Sequence, residues 1–231
     1  MRASPAVRCR MLRRARGRAG SRSGGDLPGI EQAFDYAGTV SEMQGSLFGA
    51  GDLELRVDQA THRTRLDAHC WVDQVHGWLG GQLELYDRLA RADIWHHAER
   101  PMYGRMVAEP RLSAGMRVDG PRTPAIVRRM ATDLSRRYGV GMGGIWCNWY
   151  RDGDDAVAWH ADRIGRAHKD PPVAIVSLGS TRRFLLRPKG GGSSVPFAPA
   201  GGDLLVMGGA CQHHWEHCVP RDRRGGPRIS V

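Results

Sequence analysis

Lysine is nearly absent from this sequence. Only Lys169 and Lys189 stand among its 34 basic residues, so 32 are arginines. A bias of that size follows from nucleotide composition as readily as from phosphate binding. Long apolar runs are missing too. No stretch reaches 18 apolar residues, which excludes a membrane-spanning helix. The sequence has no C-x-x-C pair, and Cys9, Cys70, Cys147, Cys211 and Cys218 make an odd count, which argues against a disulfide framework. No apolar core of signal-peptide length follows the N-terminal charges, and a cytoplasmic location is expected. Acidic residues are scarce at the start: residues 1–30 hold eight arginines against one acid, Asp26.

What is present is ordinary for a globular protein. Of the 231 residues, 41% are apolar and 25% charged, with 31 glycines that favour turns and strands over helix bundles. The net charge of +10 belongs mostly to the first 30 residues, so it is a weak argument for nucleic acid. Residues 1–42 are read as a disordered basic tail or as the result of a start codon placed too early. Met43 opens Met43-Gln44-Gly45-Ser46-Leu47-Phe48-Gly49, a plausible true beginning. The tail resembles a transit peptide in composition, a reading ranked below those two. The domain is expected over residues 43–231.

Helical spacing appears over 82–92, with Leu83, Tyr86, Leu89 and Ala90 on one face. Residues 93–121, with several prolines, read as loop with short strands. The clearest helix spans 123–138, where Thr123 can cap, Ile126, Val127, Met130 and Leu134 form a stripe, and Gly139 ends it. From Gly144 onward short strands follow at 145–150, 157–160, 173–178, 182–186, 203–207, 215–219 and 228–231. Gly179-Ser180-Thr181 reads as a tight hairpin turn between two of them. Helices followed by many short strands predict an α+β protein with a double-sheet, jelly-roll core backed by helices.

Trp159-His160-Ala161-Asp162 carries the first chemical signal. Side chains two apart on a strand share a face, so His160 and Asp162 can share a metal. His217 supplies a third donor, and two imidazoles with one carboxylate leave iron sites open for a co-substrate and dioxygen. Their ligand atoms are expected within about 3–4 Å of one another. Tyr150 and Arg228 converging beside that metal would hold a dicarboxylate by charge-assisted hydrogen bonds. Cys211-Gln212-His213-His214-Trp215-Glu216-His217-Cys218 is dense in soft ligands, but its spacing fits no zinc finger. His213, His214, Cys211 and Cys218 are read as incidental.

Asn148-x-Tyr150, His160-x-Asp162, Trp215-x-His217 and Arg228, in that order, resemble the AlkB-like family of 2-oxoglutarate and iron(II)-dependent dioxygenases. Tyr150-Arg151-Asp152-Gly153, Val176-Ser177-Leu178-Gly179 with Arg182-Arg183-Phe184, and the run from Gly202 to Met207 extend the likeness over residues 47–231. The resemblance implies that His160, Asp162 and His217 hold iron(II) and are the catalytic centre. It implies that Arg228 and Tyr150 bind the distal carboxylate of 2-oxoglutarate, with Asn148 a further co-substrate contact. Arg105 and Arg111 fall where family members have a lid over a flipped nucleotide.

Two departures stand out. The family pattern has a second arginine six residues after the first, whereas Val231 lies three residues beyond Arg228. Acidic residues follow the ligand aspartate in several members, where Arg163 and Ile164 stand here. Co-substrate affinity and lesion preference are expected to differ accordingly.

The activity implied is oxidative dealkylation of N-alkylated nucleobases in DNA or RNA, by a monomer with no membrane partner, releasing aldehyde, succinate and carbon dioxide. A buried iron requires a flipped or single-stranded base. Arg182, Arg183, Arg187 and Lys189 are candidate phosphate contacts. Two other readings stand beside it: an oxygenase acting on a non-nucleic-acid substrate, and a catalytically silent nucleic-acid-binding relative.

Overall fold

The computed structural model describes residues 51–102, 105–162 and 170–231. The expected tail at 1–42, the alternative start at Met43, and Arg163 and Ile164 lie outside the described residues. In chain order the elements are β1 (Glu54–Leu55), β2 (His62–Arg65), β3 (Cys70–Val75), β4 (Leu79–Gly80), α1 (Gln82–Ala90), β5 (His96–Met102), β6 (Arg105–Arg117) and α2 (Ala125–Tyr138). They continue with β7 (Gly144–Tyr150), β8 (Val157–His160), β9 (Val173–Gly179), β10 (Phe184–Pro188), β11 (Val195–Phe197), β12 (Leu204–Gly209), α3 (Cys211–His214), β13 (Trp215–Val219) and β14 (Arg228–Ser230).

Two sheets dominate. The larger has eight strands in the order β2-β3-β12-β9-β14-β7-β6-β5, and the smaller has four, β11-β10-β13-β8. Strand alternation gives the large sheet two different faces. Val176, Leu178, Leu204, Val206 and Ile229 point to the helix side, where Leu85 and Leu89 of α1 and Ile126, Val127, Met130 and Leu134 of α2 cover them. Cys70, Val72, Leu205 and Met207 point the other way, against Phe184, Leu186, Phe197, Trp215 and Val219. Each fully buried side chain of this size contributes about 1.5–3 kcal/mol. The site lies at the edge of this second layer. Among the described residues no helix is long and apolar enough to cross a membrane.

The stripe expected on α2 is the buried one, and Gly139 ends the helix at φ 67°, a conformation that costs glycine little. Thr123 does not cap it. Pro124 occupies the cap position, and the Thr123 hydroxyl donates to the Arg117 carbonyl at 2.7 Å. Helix α1 ends at Ala90; Leu89 of the expected face is buried with Tyr86 and Ala90 packed beside it, and Leu85 rather than Leu83 is its other buried residue.

Two further expectations are corrected. Residues 93–121 are not loop with short strands; most of them form the long antiparallel pair β5–β6. Its prolines are tolerated because β5 is an edge strand and Pro110 sits in an irregularity of the ladder. Gly179-Ser180-Thr181 is not a hairpin turn. It crosses between sheets, since β9 pairs with β12 and β14 while β10 pairs with β11 and β13. Gly179 turns the chain at φ 83°, and the Ser180 N–H then donates to the Pro227 carbonyl at 2.8 Å.

Candidate active site

Strand register brings the first group together. His217 on β13 pairs directly with His160 on β8, and their ring centroids are 4.3 Å apart. Asp162, just past the end of β8, lies between them: Oδ1 is 3.8 Å from His160 Nε2 and Oδ2 is 3.6 Å from His217 Nε2. One ligand atom from each residue lies within 4.8 Å of the other two, the only such His/Cys/Asp/Glu group among the described residues.

The orientation of these groups is fixed by neighbours. His160 Nδ1 is 2.8 Å from the Ala158 carbonyl oxygen. A carbonyl only accepts, so Nδ1 carries the proton and Nε2 is left as the donor to a metal. The Asp162 N–H donates to Gln212 Oε1 at 2.8 Å, and Gln212 is itself buried on α3. His217 is 5% exposed, stacked on Phe184. Burial, aided by the His160 and Arg111 charges, lowers its pKa to about 3, so the ring is neutral and its lone pair available. The wall of the site raises the Asp162 carboxyl above the ordinary carboxylate range, against the pull of His160 and Arg111, although 36% of the side chain still meets solvent. Two imidazoles and a carboxylate on one side of a point fit iron(II) with open positions.

A second group lies along β7 and β14. Tyr150 pairs in register with Arg228, and Asn148 with Ser230. The Arg228 guanidinium is 1% exposed and 5.6 Å from the Tyr150 ring centroid. Its Nη2 donates to Ser177 Oγ at 2.9 Å, its Nε has no hydrogen-bond partner, and it makes no ion pair among the described residues. Burial pushes the Arg228 pKa down and the Tyr150 pKa up. A buried cation without a carboxylate is costly, so this end of the site suits a dicarboxylate co-substrate.

The candidate phosphate contacts divide. Arg182 is not one. It is 1% exposed, and its guanidinium donates to the carbonyls of Asp152, Asp155 and Pro220 at 2.7, 2.9 and 3.2 Å. Arg111 is not on an outer surface either; it is 5% exposed, paired with Glu109 at 2.6 Å and donating to Asn148. Arg183 and Lys189 are exposed, and Lys189 Nζ donates to the Gln212 carbonyl at 2.9 Å. Arg187 donates to Glu216 at 2.6 Å and lies over the Trp159 ring at 4.0 Å. Arg105 begins β6, and its side chain is outside what the structure describes. Cys211, His213 and His214 form the short helix α3, and Cys218 is on the face of β13 opposite His217.

Ser113, Ser177, Glu109 and Gln212 reach the site without having been singled out from sequence. Gln212 lies within the Cys211–Cys218 segment dense in soft ligands. The others arrive through cross-strand register, which single-sequence spacing does not carry.

The family described as the 2OG-Fe(II) oxygenase superfamily matches residues 111–230. The chain is 28% identical over 151 residues to human "Alpha-ketoglutarate-dependent dioxygenase alkB homolog 3", covering 61% of this chain and 50% of that protein. It is 26% identical over 175 residues to human "DNA oxidative demethylase ALKBH2", covering 69% and 67%. The chain therefore spans about half the length of the first of these relatives. The solved structure of OsALKBH1 superposes with a TM-score of 0.51 at 15% identity, over 73% of this chain and 98% of that one, a likeness of fold that bears out the jelly-roll expectation.

Proposed function

The chain belongs to the 2OG-Fe(II) oxygenase superfamily and is AlkB-like within it, and from that premise we propose that it oxidatively dealkylates N-alkylated nucleobases in DNA or RNA. The observation that carries the reading is the convergence of His160, Asp162 and His217 at the four-stranded sheet, in a domain whose eight-stranded sheet buries Arg228 beside Tyr150. Iron(II) with 2-oxoglutarate and dioxygen supplies the oxidising power that an unactivated C–H bond requires, and no general acid or base has to break it.

The protein's own contribution is placement. His160, Asp162 and His217 would hold the metal from one side. Arg228 and Tyr150 would take the distal carboxylate of 2-oxoglutarate in a wall shielded from water, where charge-assisted hydrogen bonds are strongest. Asn148 offers a donor one rung along the same face. His217 is buried, so a base has to leave its stack to meet this centre, and a flipped or single-stranded nucleotide is the form that fits. Among the candidate phosphate contacts whose side chains are described, Arg183 is the exposed arginine and would be the one to meet phosphate.

Succinate and aldehyde release, measured with an N-methylated oligonucleotide, an unmodified one and none, tests this. The account expects aldehyde only with the methylated strand, with succinate in equal amount. Succinate without aldehyde on any oligonucleotide would move the substrate outside nucleic acid. Binding of oligonucleotide with no succinate at all would make the chain a silent relative.

A further inference from the structure

We propose that Arg111 is a positioning residue for the keto-acid end of 2-oxoglutarate, holding the Asn148 amide so that its NH2 group donates into the site. The inference rests on the co-substrate reading above.

Asn148 Oδ1 is 2.8 Å from Arg111 Nε and 3.2 Å from Ser113 Oγ. Arginine has no acceptor, so the atom facing it is the amide oxygen, and the flip state of Asn148 is settled by chemistry. Two donors fill both lone pairs of that oxygen. Only the NH2 end remains, and it can serve only an acceptor such as a carboxylate or keto oxygen.

Arg111 is itself held rigidly. Its Nη1 is 2.6 Å from Glu109 Oε2, and both residues are buried, at 5% and 8% exposure. The backbone explains how two charged side chains come to be inside. Residue pairs His97↔Leu112 and Glu99↔Ala108 flank a register shift, so 109–111 of β6 stand opposite Ala98 alone. Such a bulge bends the strand and re-aims its side chains. A buried ion pair is weak evidence for stability, since an apolar pair of similar volume often does as well. Orientation of Asn148 gives this pair a use.

Its place along the sheet matches the shape of the ligand. Tyr150 and Arg228 form one cross-strand rung, Asn148 and Ser230 the next on the same face. Rungs two residues apart are separated by about 6.6 Å, comparable to the length of a five-carbon dicarboxylate. With the distal carboxylate on the Tyr150–Arg228 rung, the Asn148 rung, whose amide Arg111 holds, stands at the keto-acid end.

Calorimetric titration of the iron(II)-loaded protein under nitrogen tests this with two ligands, 2-oxoglutarate and 2-oxobutanoate, which keeps the keto acid but lacks the distal carboxylate. Arg228→Gln is expected to weaken 2-oxoglutarate alone. Arg111→Gln and Asn148→Ala are each expected to weaken both ligands by about tenfold, the worth of one charge-assisted hydrogen bond. The double variant should be no weaker than either single one, because both changes remove the same donor. Ser113→Ala, which leaves the Arg111–Glu109 pair intact, should weaken both ligands about threefold, and it decides the matter if the Arg111 variants do not fold. Unchanged binding of both acids in folded Arg111→Gln, or in Ser113→Ala if the former does not fold, overturns the proposal while Arg228→Gln still supports the co-substrate reading. Loss of 2-oxoglutarate alone in Arg111→Gln overturns it as well. A wild-type protein that binds neither acid overturns the co-substrate reading, and this proposal with it.

Discussion

His160 and His217 face each other across the β8–β13 ladder, paired residue to residue with ring centroids 4.3 Å apart. A slip of one residue in that ladder would turn His217 to the outer face, where Glu216 and Cys218 now point. The metal site is thus written into strand register, and the packing of Phe184, Leu186 and Val219 that fixes the register is part of the site.

The neutral state of His217 has a consequence for stability. Its folded pKa is about 3, through burial first and the His160 and Arg111 charges second, while an unfolded histidine titrates near 6.5. Between those values the unfolded chain binds a proton that the folded chain refuses. Metal-free protein should therefore lose stability as pH falls from about 6.5 toward 3, by up to about 1.4 kcal/mol per pH unit from this group. Urea denaturation of the apo protein across that window should show a shallower slope for His217→Leu. Parallel slopes would mean that His217 protonates in the folded state.

Gln212 should matter for metal rather than for folding. Its amide oxygen accepts the Asp162 N–H and fixes the residue that bridges the two histidines. Gln212→Ala is expected to weaken metal binding by about 10- to 100-fold, the usual effect of removing an outer-shell partner. Competition with a chelator measures this, and wild-type affinity in the variant would remove Gln212 from the site.

Arg182 and Arg183 are neighbours with opposite expected phenotypes. Arg182→Met leaves three carbonyls without their donor and should cost at least about 3 kcal/mol of stability. Arg183→Ala should stay within about 0.5 kcal/mol of wild type. If Arg183 meets phosphate, its loss lowers the salt dependence of oligonucleotide binding by about one unit of slope. Thermal melts and salt titrations of the two variants separate these outcomes.

How much of this was legible in the sequence depended on distance along the chain. Residues 125–138 were readable because the pattern of Ile126, Val127, Met130 and Leu134 is local, and Gly139 marks its own stop. His160 and Asp162 were readable as a pair two residues apart, although β8 ends at His160 and Asp162 reaches the same point from just beyond the strand. Arg182 was misjudged because nothing nearby announces that its partners are carbonyls on two other segments, at Asp152, Asp155 and Pro220. The β5–β6 hairpin was hidden by Pro101 and Pro110, which count against a strand until an edge position and a bulge accommodate them. Arg111 falls where the family resemblance implies a lid, but its inward direction follows from that bulge, which the sequence does not show.

The most direct test of the account is anaerobic titration with iron(II) in the presence of 2-oxoglutarate, followed by the visible charge-transfer absorption of an iron(II)–keto-acid chelate. The account predicts one equivalent of iron in the wild type, no absorption in Asp162→Ala or His217→Ala, and full absorption in Cys211→Ser and Cys218→Ser. Absorption that survives Asp162→Ala, or that disappears with the cysteines, would contradict the assignment of His160, Asp162 and His217 as the metal centre.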